Sequence, residues 1–214
     1  VKGLKTVFRV GDKAVKAVDG VSFEVPSKTV VGLVGESGSG KSVSSYSILQ
    51  LLPNNGHIEA GKVLWKGQDL CSMSSNKIRK IRGEEIALIF QNPQAALNPV
   101  FTVGNQMVET IMLHKKVTKE EAKNIAIELL KKVNIPDPET RMKDYPHQFS
   151  QGMCQRIMIA LTISMQPKLL IADEPTASLD VTIQAQILAL LNALKAEFDM
   201  SMLFISHDLG VIAQ

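Results

Sequence analysis

Apolar positions along this chain fall into patterns that predict different elements. Near the start, TVFRV and VDGVSFEV alternate or cluster β-forming residues around a GDK turn, which predicts a small antiparallel β unit. Four later runs do not alternate: TVVGLVG at 29–35, EEIALIF at 84–90, KLLIAD at 168–173 and SMLFIS at 201–206. Unbroken apolar runs of that length predict strands buried on both faces, as in a parallel sheet. GKVLWKG at 61–67 reads as one more short strand.

The middle of the chain changes period. From Thr102 to Ser164 the apolar spacing is helical. One helix starts at Thr118, where T-x-x-E to Glu121 forms a capping box, and Ala122, Ile125, Ala126, Leu129, Leu130 and Val133 make its apolar face. The loop 135–146 carries three prolines, and a helix follows over 150–165. Further helices are predicted from the end of GESGSGKS to Leu52, where Pro53 stops it, and from Val181 to Phe198. Strands alternating with helices at both ends predict an α/β fold: a mostly parallel sheet in a core of 1–91 and 166–214, with an α-helical subdomain inserted at about 92–165.

Bulk composition narrows the class. The 214 residues are 45% hydrophobic, enough for one large domain or one domain with a subdomain. A net charge of +3 with 21% charged residues does not fit a dedicated nucleic-acid binder, and the patch Lys77, Arg79, Lys80, Arg82 reads as a solvated helix face. No apolar run approaches the roughly 18 residues that span a bilayer. The N-terminal VKGLKTVFRV has no signal-peptide pattern, and Cys71 and Cys154 read as free thiols in a reducing compartment. The final VIAQ lies inside an apolar run without a stop signal, so the expectation is a domain truncated at its C-terminus.

The chemistry begins at GESGSGKS, residues 35–42, between a strand and a helix. Gly35, Gly38 and Gly40 let the backbone of Glu36, Ser37 and Ser39 fold into a nest of N–H groups facing phosphate oxygens. Lys41 supplies a charge to the β- and γ-phosphates, Ser42 a hydroxyl to Mg²⁺, and the helix continuing through Val43 its positive N-terminal end. The bare pattern arises by chance in roughly 1–2% of chains this long, and the strand–loop–helix context lowers that further. LLIADEP supplies the second half of such a site: Asp173 to hold the metal and Glu174 to polarise an attacking water. The pair predicts a nucleoside triphosphate hydrolase. Guanine specificity finds no support, because the only Asn-Lys pair, Asn76-Lys77, lacks the following aspartate.

Four more elements stand in register: Gln91 after EEIALIF, FSQG before the acidic strand, ASLD at 177–180 and His207 after SMLFIS. In this order and spacing the chain resembles, over essentially all its length, the ATPase subunits of ABC transporters. IFQNPQAALNPVFTVGNQ, YPHQFSQGMCQR and DEPTASLDVTIQAQIL narrow the resemblance to the bacterial dipeptide/oligopeptide/nickel importers. The resemblance implies ATP and Mg²⁺ as ligands. It implies that Gln91 senses metal and γ-phosphate, that His207 contacts the γ-phosphate, that Ser178 and Asp180 link two nucleotide sites across a dimer, and that Phe8 stacks on adenine. It also implies a second ATPase subunit, with a heterodimer favoured, and transmembrane permease subunits docking near Phe101. An external binding protein would select the cargo, which leaves the cargo unnamed. The location implied is the cytoplasmic face of the bacterial inner membrane, as a peripheral subunit.

In that family Ser150, Gln151 and Gly152 meet the ATP held by the partner subunit. The usual pattern there is Ser-Gly-Gly, and the importers usually carry Arg where this chain has Cys154. Gln151 adds a side chain at the phosphate, and a lost charge-assisted contact costs roughly 1.5–3 kcal/mol. The expectation is an asymmetric heterodimer in which the partner's ATP turns over slowly. Two other readings stay open on the residues: a soluble ATPase of this class that remodels a ribosome or DNA, and a nucleotide-binding regulator that does not hydrolyse. Intact Glu174 and His207 disfavour the second.

Overall fold

Three unbroken apolar runs lie side by side in the computed structural model, which describes residues 1–212; the last two residues of VIAQ fall outside it. The first part of the chain forms β1 (Lys2–Val10), β2 (Lys13–Val21), β3 (Val30–Val34), α1 (Lys41–Ile48) and β4 (Gly56–Lys62). A hairpin of β5 (Leu64–Trp65) and β6 (Gln68–Asp69) leads to α2 (Ser75–Ile81) and β7 (Ile86–Ile89). Helices α3 (Pro93–Ala96), α4 (Val103–His114), α5 (Lys119–Lys132), α6 (Pro138–Arg141) and α7 (Gln151–Ile163) follow with no strand among them. The chain then returns through β8 (Leu169–Asp173), α8 (Val181–Glu197), β9 (Ser201–Ser206) and α9 (Leu209–Ile212).

Strands β3, β9, β8 and β7 form a parallel sheet in that order, and β2, β1 and β4 form an antiparallel one. Every residue of β7, β8 and β9 is buried, which is why their sequences show no alternation. The two-residue period reappears in which core each side chain joins. Ala87, Ile89, Leu170, Ala172, Met202 and Phe204 face a core shared with α4, α5, α7 and α8. Leu88, Leu169, Ile171, Leu203 and Ile205 face a second core containing Ile48, Leu49, Leu4 and Val18 from α1 and the antiparallel sheet.

The capping box at α5 is formed: the Glu121 N–H donates to Thr118 Oγ1 at 3.2 Å, and the Thr118 N–H donates to Glu121 Oε2 at 2.7 Å. Arg156 of α7 is buried and donates to the Val133 carbonyl at 3.0 Å and to Gln186 Oε1 at 2.7 Å, joining α5, α7 and α8.

Several boundaries differ from the sequence reading. GKVLWKG is not one strand: β4 ends at Lys62, and the turn of the β5–β6 hairpin uses Lys66 and Gly67, both at positive φ (48° and 81°). The upstream strand Gly56–Lys62 escaped the reading because it pairs at a sheet edge and is mostly exposed. VDGVSFEV leaves its ladder at Val21, although Phe23 and Val25 still pack into the second core. α1 stops at Ile48 instead of Leu52, because Gln50 turns to φ 51°.

Ile157 is fully buried where the helical segment meets the parallel sheet. Ile157→Ala is expected to cost about 3 kcal/mol of unfolding free energy, measured by urea denaturation of the full-length protein.

Candidate active site

The carboxyl ends of the parallel strands converge on one cleft of about 620 Å³. Open parallel sheets bind ligands at this edge. Between β3 and α1 the chain must reverse tightly, and Gly38 and Gly40 sit at φ 80° and 91°. At Gly40 a side chain is excluded twice, by the left-handed backbone and by the Ala17 carbonyl, which a Cβ would strike. The loop places Lys41 at the first position of α1. Its ammonium folds back and donates to the carbonyls of Gly35 at 2.8 Å and Glu36 at 2.7 Å.

At the next residue, Ser42 Oγ donates to Asp173 Oδ1 at 3.0 Å, joining the start of α1 to the end of β8. Asp173 is fully buried. Burial is the main cause that pushes its carboxyl above the ordinary value, with the Ser42 hydroxyl acting in the opposite direction. Its Oδ2 is buried and has no hydrogen-bond partner among the described residues. A buried carboxylate oxygen with an open valence, beside a serine hydroxyl, suits a hard divalent cation such as Mg²⁺.

Glu174 follows at φ 46°, a strained conformation that turns its side chain out of the sheet into the cleft. Gln91 Nε2 donates to Glu174 Oε2 at 2.9 Å, and His207 Nδ1 lies 3.2 Å from Glu174 Oε1. Ser178, at φ 62°, lines the same cleft. Seven expected site residues, Lys41, Ser42, Gln91, Asp173, Glu174, Ser178 and His207, therefore meet in space, although 166 positions separate the first from the last.

Others stand apart from the cleft walls. Ser150 caps α7, accepting from the Met153 N–H at 3.3 Å; Gln151 is exposed beside it. A Cβ on Gly152 would lie 2.9 Å from Ile183 of α8, and Asp180 caps α8 by accepting from the Ile183 N–H at 3.0 Å. Phe8 packs its ring over Gly56, where a Cβ would lie 2.7 Å from the ring, and pairs across the strands with Val15. The sequence reading missed Tyr46, whose hydroxyl is pushed up first by burial and then by the Asp173 carboxylate. Its signal was available: Tyr46 follows Ser42 by four residues, on one helix face.

A family model described as ABC transporter matches residues 18–177. The chain belongs to the ABC transporter family. Its fold is that of a solved ATP-binding cassette. Among similar curated proteins, the oligopeptide transport ATP-binding protein OppD of Bacillus subtilis is 48% identical, with all of this chain and 60% of OppD aligned. The dipeptide transport ATP-binding protein DppD of the same organism is 49% identical, with all of this chain and 64% of DppD aligned. The chain thus spans about three fifths of the length of these relatives. A solved cassette, MJ0796, in a dimeric post-hydrolysis state bound to ADP and phosphate, matches with a TM-score of 0.86 at 25% identity, over 98% of this chain and 88% of that one.

The Asp173 burial has a measurable consequence. Because folding raises its pKa, the folded state holds this proton more tightly than the unfolded chain. The stability that this confers is full at low pH and is lost as pH rises from the ordinary carboxylate range through the raised value. Asp173→Asn, which carries no charge, is expected to raise the Tm of the nucleotide-free protein at neutral pH. The gain should shrink as pH falls toward about 4, followed by calorimetry across pH.

Proposed function

We propose that this chain is the ATP-binding and ATP-hydrolysing subunit that powers import of peptides, or of a related small solute such as nickel, through a membrane ABC transporter. The observation that carries the reading is the meeting of Lys41, the Ser42–Asp173 pair and the Gln91–Glu174–His207 cluster in one cleft of a chain from this family. The peptide-transport names of its relatives support the cargo class.

In this reading Lys41 leaves the loop carbonyls for the β- and γ-phosphates, the N–H groups of residues 36–43 cradle the phosphate chain, and Phe8 stacks on adenine. Ser42, Gln91 and Asp173 would hold Mg²⁺, which when bound neutralises charge on the phosphate oxygens. Glu174 takes the proton of the water that attacks the γ-phosphorus, and His207 steadies the γ-phosphate. As the P–O bond breaks, ADP becomes the leaving group and inorganic phosphate the second product.

The functional division is a core of 1–91 and 166–214 with a helical part at about 92–165. Ser150, Gln151 and Gly152 complete the site of a second ATPase subunit, with Ser178 and Asp180 at the seam, and a heterodimer is favoured. Val100 and Phe101 are exposed apolar residues suited to a permease contact. The chain sits at the cytoplasmic face of the membrane; no helix among the described residues is long and apolar enough to cross it.

Turnover of MgATP by the full-length protein, assembled with its partner ATPase and permease subunits, tests the reading. Glu174→Gln is expected to lower kcat at least about a hundredfold while ATP still binds. Turnover unchanged by that substitution removes Glu174 from its role. Gln151→Gly is expected to speed turnover at the partner's site by about tenfold, through recovery of a charge-assisted contact to the phosphate. Equal rates at both sites of the unsubstituted heterodimer would contradict the asymmetry.

A further inference from the structure

Glu174 also lines a second cavity, of about 120 Å³. It shares Glu174, Ala177, Ser178 and His207 with the nucleotide cleft, but no residue of the 35–43 loop lines it. Its other polar walls are Thr176, Gln184, Ser206 and Asp208. A water needs roughly 10–15 Å³ of such space, so the chamber has room for several, and its mainly polar lining favours keeping them.

The walls offer unfilled hydrogen bonds. Thr176 and Ser206 are buried. Ser206 Oγ accepts from the Asp208 N–H at 3.0 Å, which leaves its own hydroxyl proton free to donate. Gln184 is half-buried in the first turn of α8, where its backbone N–H is used by the Asp180 carbonyl at 2.8 Å. Its partly exposed side-chain amide makes no protein hydrogen bond among the described residues. An amide in such a place takes water as its partner.

Each hydrolysis consumes one water, and a nucleotide bound against the 35–43 loop would share the cleft that Glu174 lines. We propose that this second chamber delivers and orients the attacking water, and that Gln184 is the positioning residue that holds it toward Glu174. This rests on the reading of the chain as an ATP hydrolase. Water from the chamber adds to the γ-phosphorus, the bond to the bridging oxygen breaks, and the proton passes to Glu174. Gln184 touches neither nucleotide nor phosphorus and acts through the water alone.

The test is steady-state MgATP hydrolysis by the assembled full-length transporter. Gln184→Leu keeps helix propensity and removes the polar head. It is expected to lower kcat about tenfold or more, while KM for ATP stays within about twofold. Gln184→Asn, which keeps the amide, is expected to stay within about threefold of the unsubstituted protein. A kcat for the Leu variant within twofold of normal would overturn the proposal. So would equal losses in the Leu and Asn variants, or a rise in KM matching the fall in kcat, since these mark a structural role for α8. If the unsubstituted assembly does not hydrolyse ATP, the functional reading fails first, before Gln184 is at issue.

Discussion

Asp173 is a carboxylate removed from water, with one oxygen on the Ser42 hydroxyl and the other without a partner among the described residues. Burying a charge in this way costs free energy, and the nearby Ser42 and Tyr46 hydroxyls and the Lys41 charge do not offset it. The protein tolerates the cost because β8 is flanked on both sides by parallel strands whose apolar faces fill two cores. The unpaired oxygen is the part of the structure with most to gain from a cation. The site is thus built at the expense of stability, at the end of the most fully buried strands of the sheet.

The rest of the cleft follows from that strand end. Glu174 cannot continue the sheet and still reach the cleft, so its backbone turns to φ 46°, and its two oxygens meet Gln91 from the end of β7 and His207 from the end of β9. Each of these side chains sits just past a fully buried strand, so its position inherits the precision of the core. Lys41 rests on carbonyls of its own loop, ready to exchange neutral acceptors for phosphate oxygens. Such an exchange is favourable because hydrogen bonds between charged partners are about twice as strong as neutral ones.

Much of this was legible in the residues, for a physical reason. A strand buried on both faces must be apolar throughout, so β7, β8 and β9 announced themselves as unbroken runs; β3 is apolar too, yet it lies at the sheet edge and is partly exposed, so its expected full burial is not met. The loop was legible because Gly40 occupies a backbone position and a space that admit no side chain. β4 was hidden because an exposed edge strand buries too little to impose a pattern, and the β5–β6 hairpin because its turn uses Lys66-Gly67 in place of a stronger turn pair. Tyr46 shares a helix face with Ser42 in the sequence, but its relation to Asp173 forms only once α1 lies against β8. Gln184 was hidden similarly, since the chamber it lines is made by segments far apart in sequence.

The central claim is that one cleft holds the nucleotide, with Lys41 and the Ser42–Asp173 pair as its fixed points. The most direct measurement is a crystal structure of the full-length protein with Mg²⁺ and a non-hydrolysable ATP analogue. The account predicts that Lys41 Nζ leaves the Gly35 and Glu36 carbonyls for the phosphates and that the Ser42 hydroxyl gives up Asp173. Nucleotide bound elsewhere, or bound in the cleft with both of those contacts intact, would contradict it.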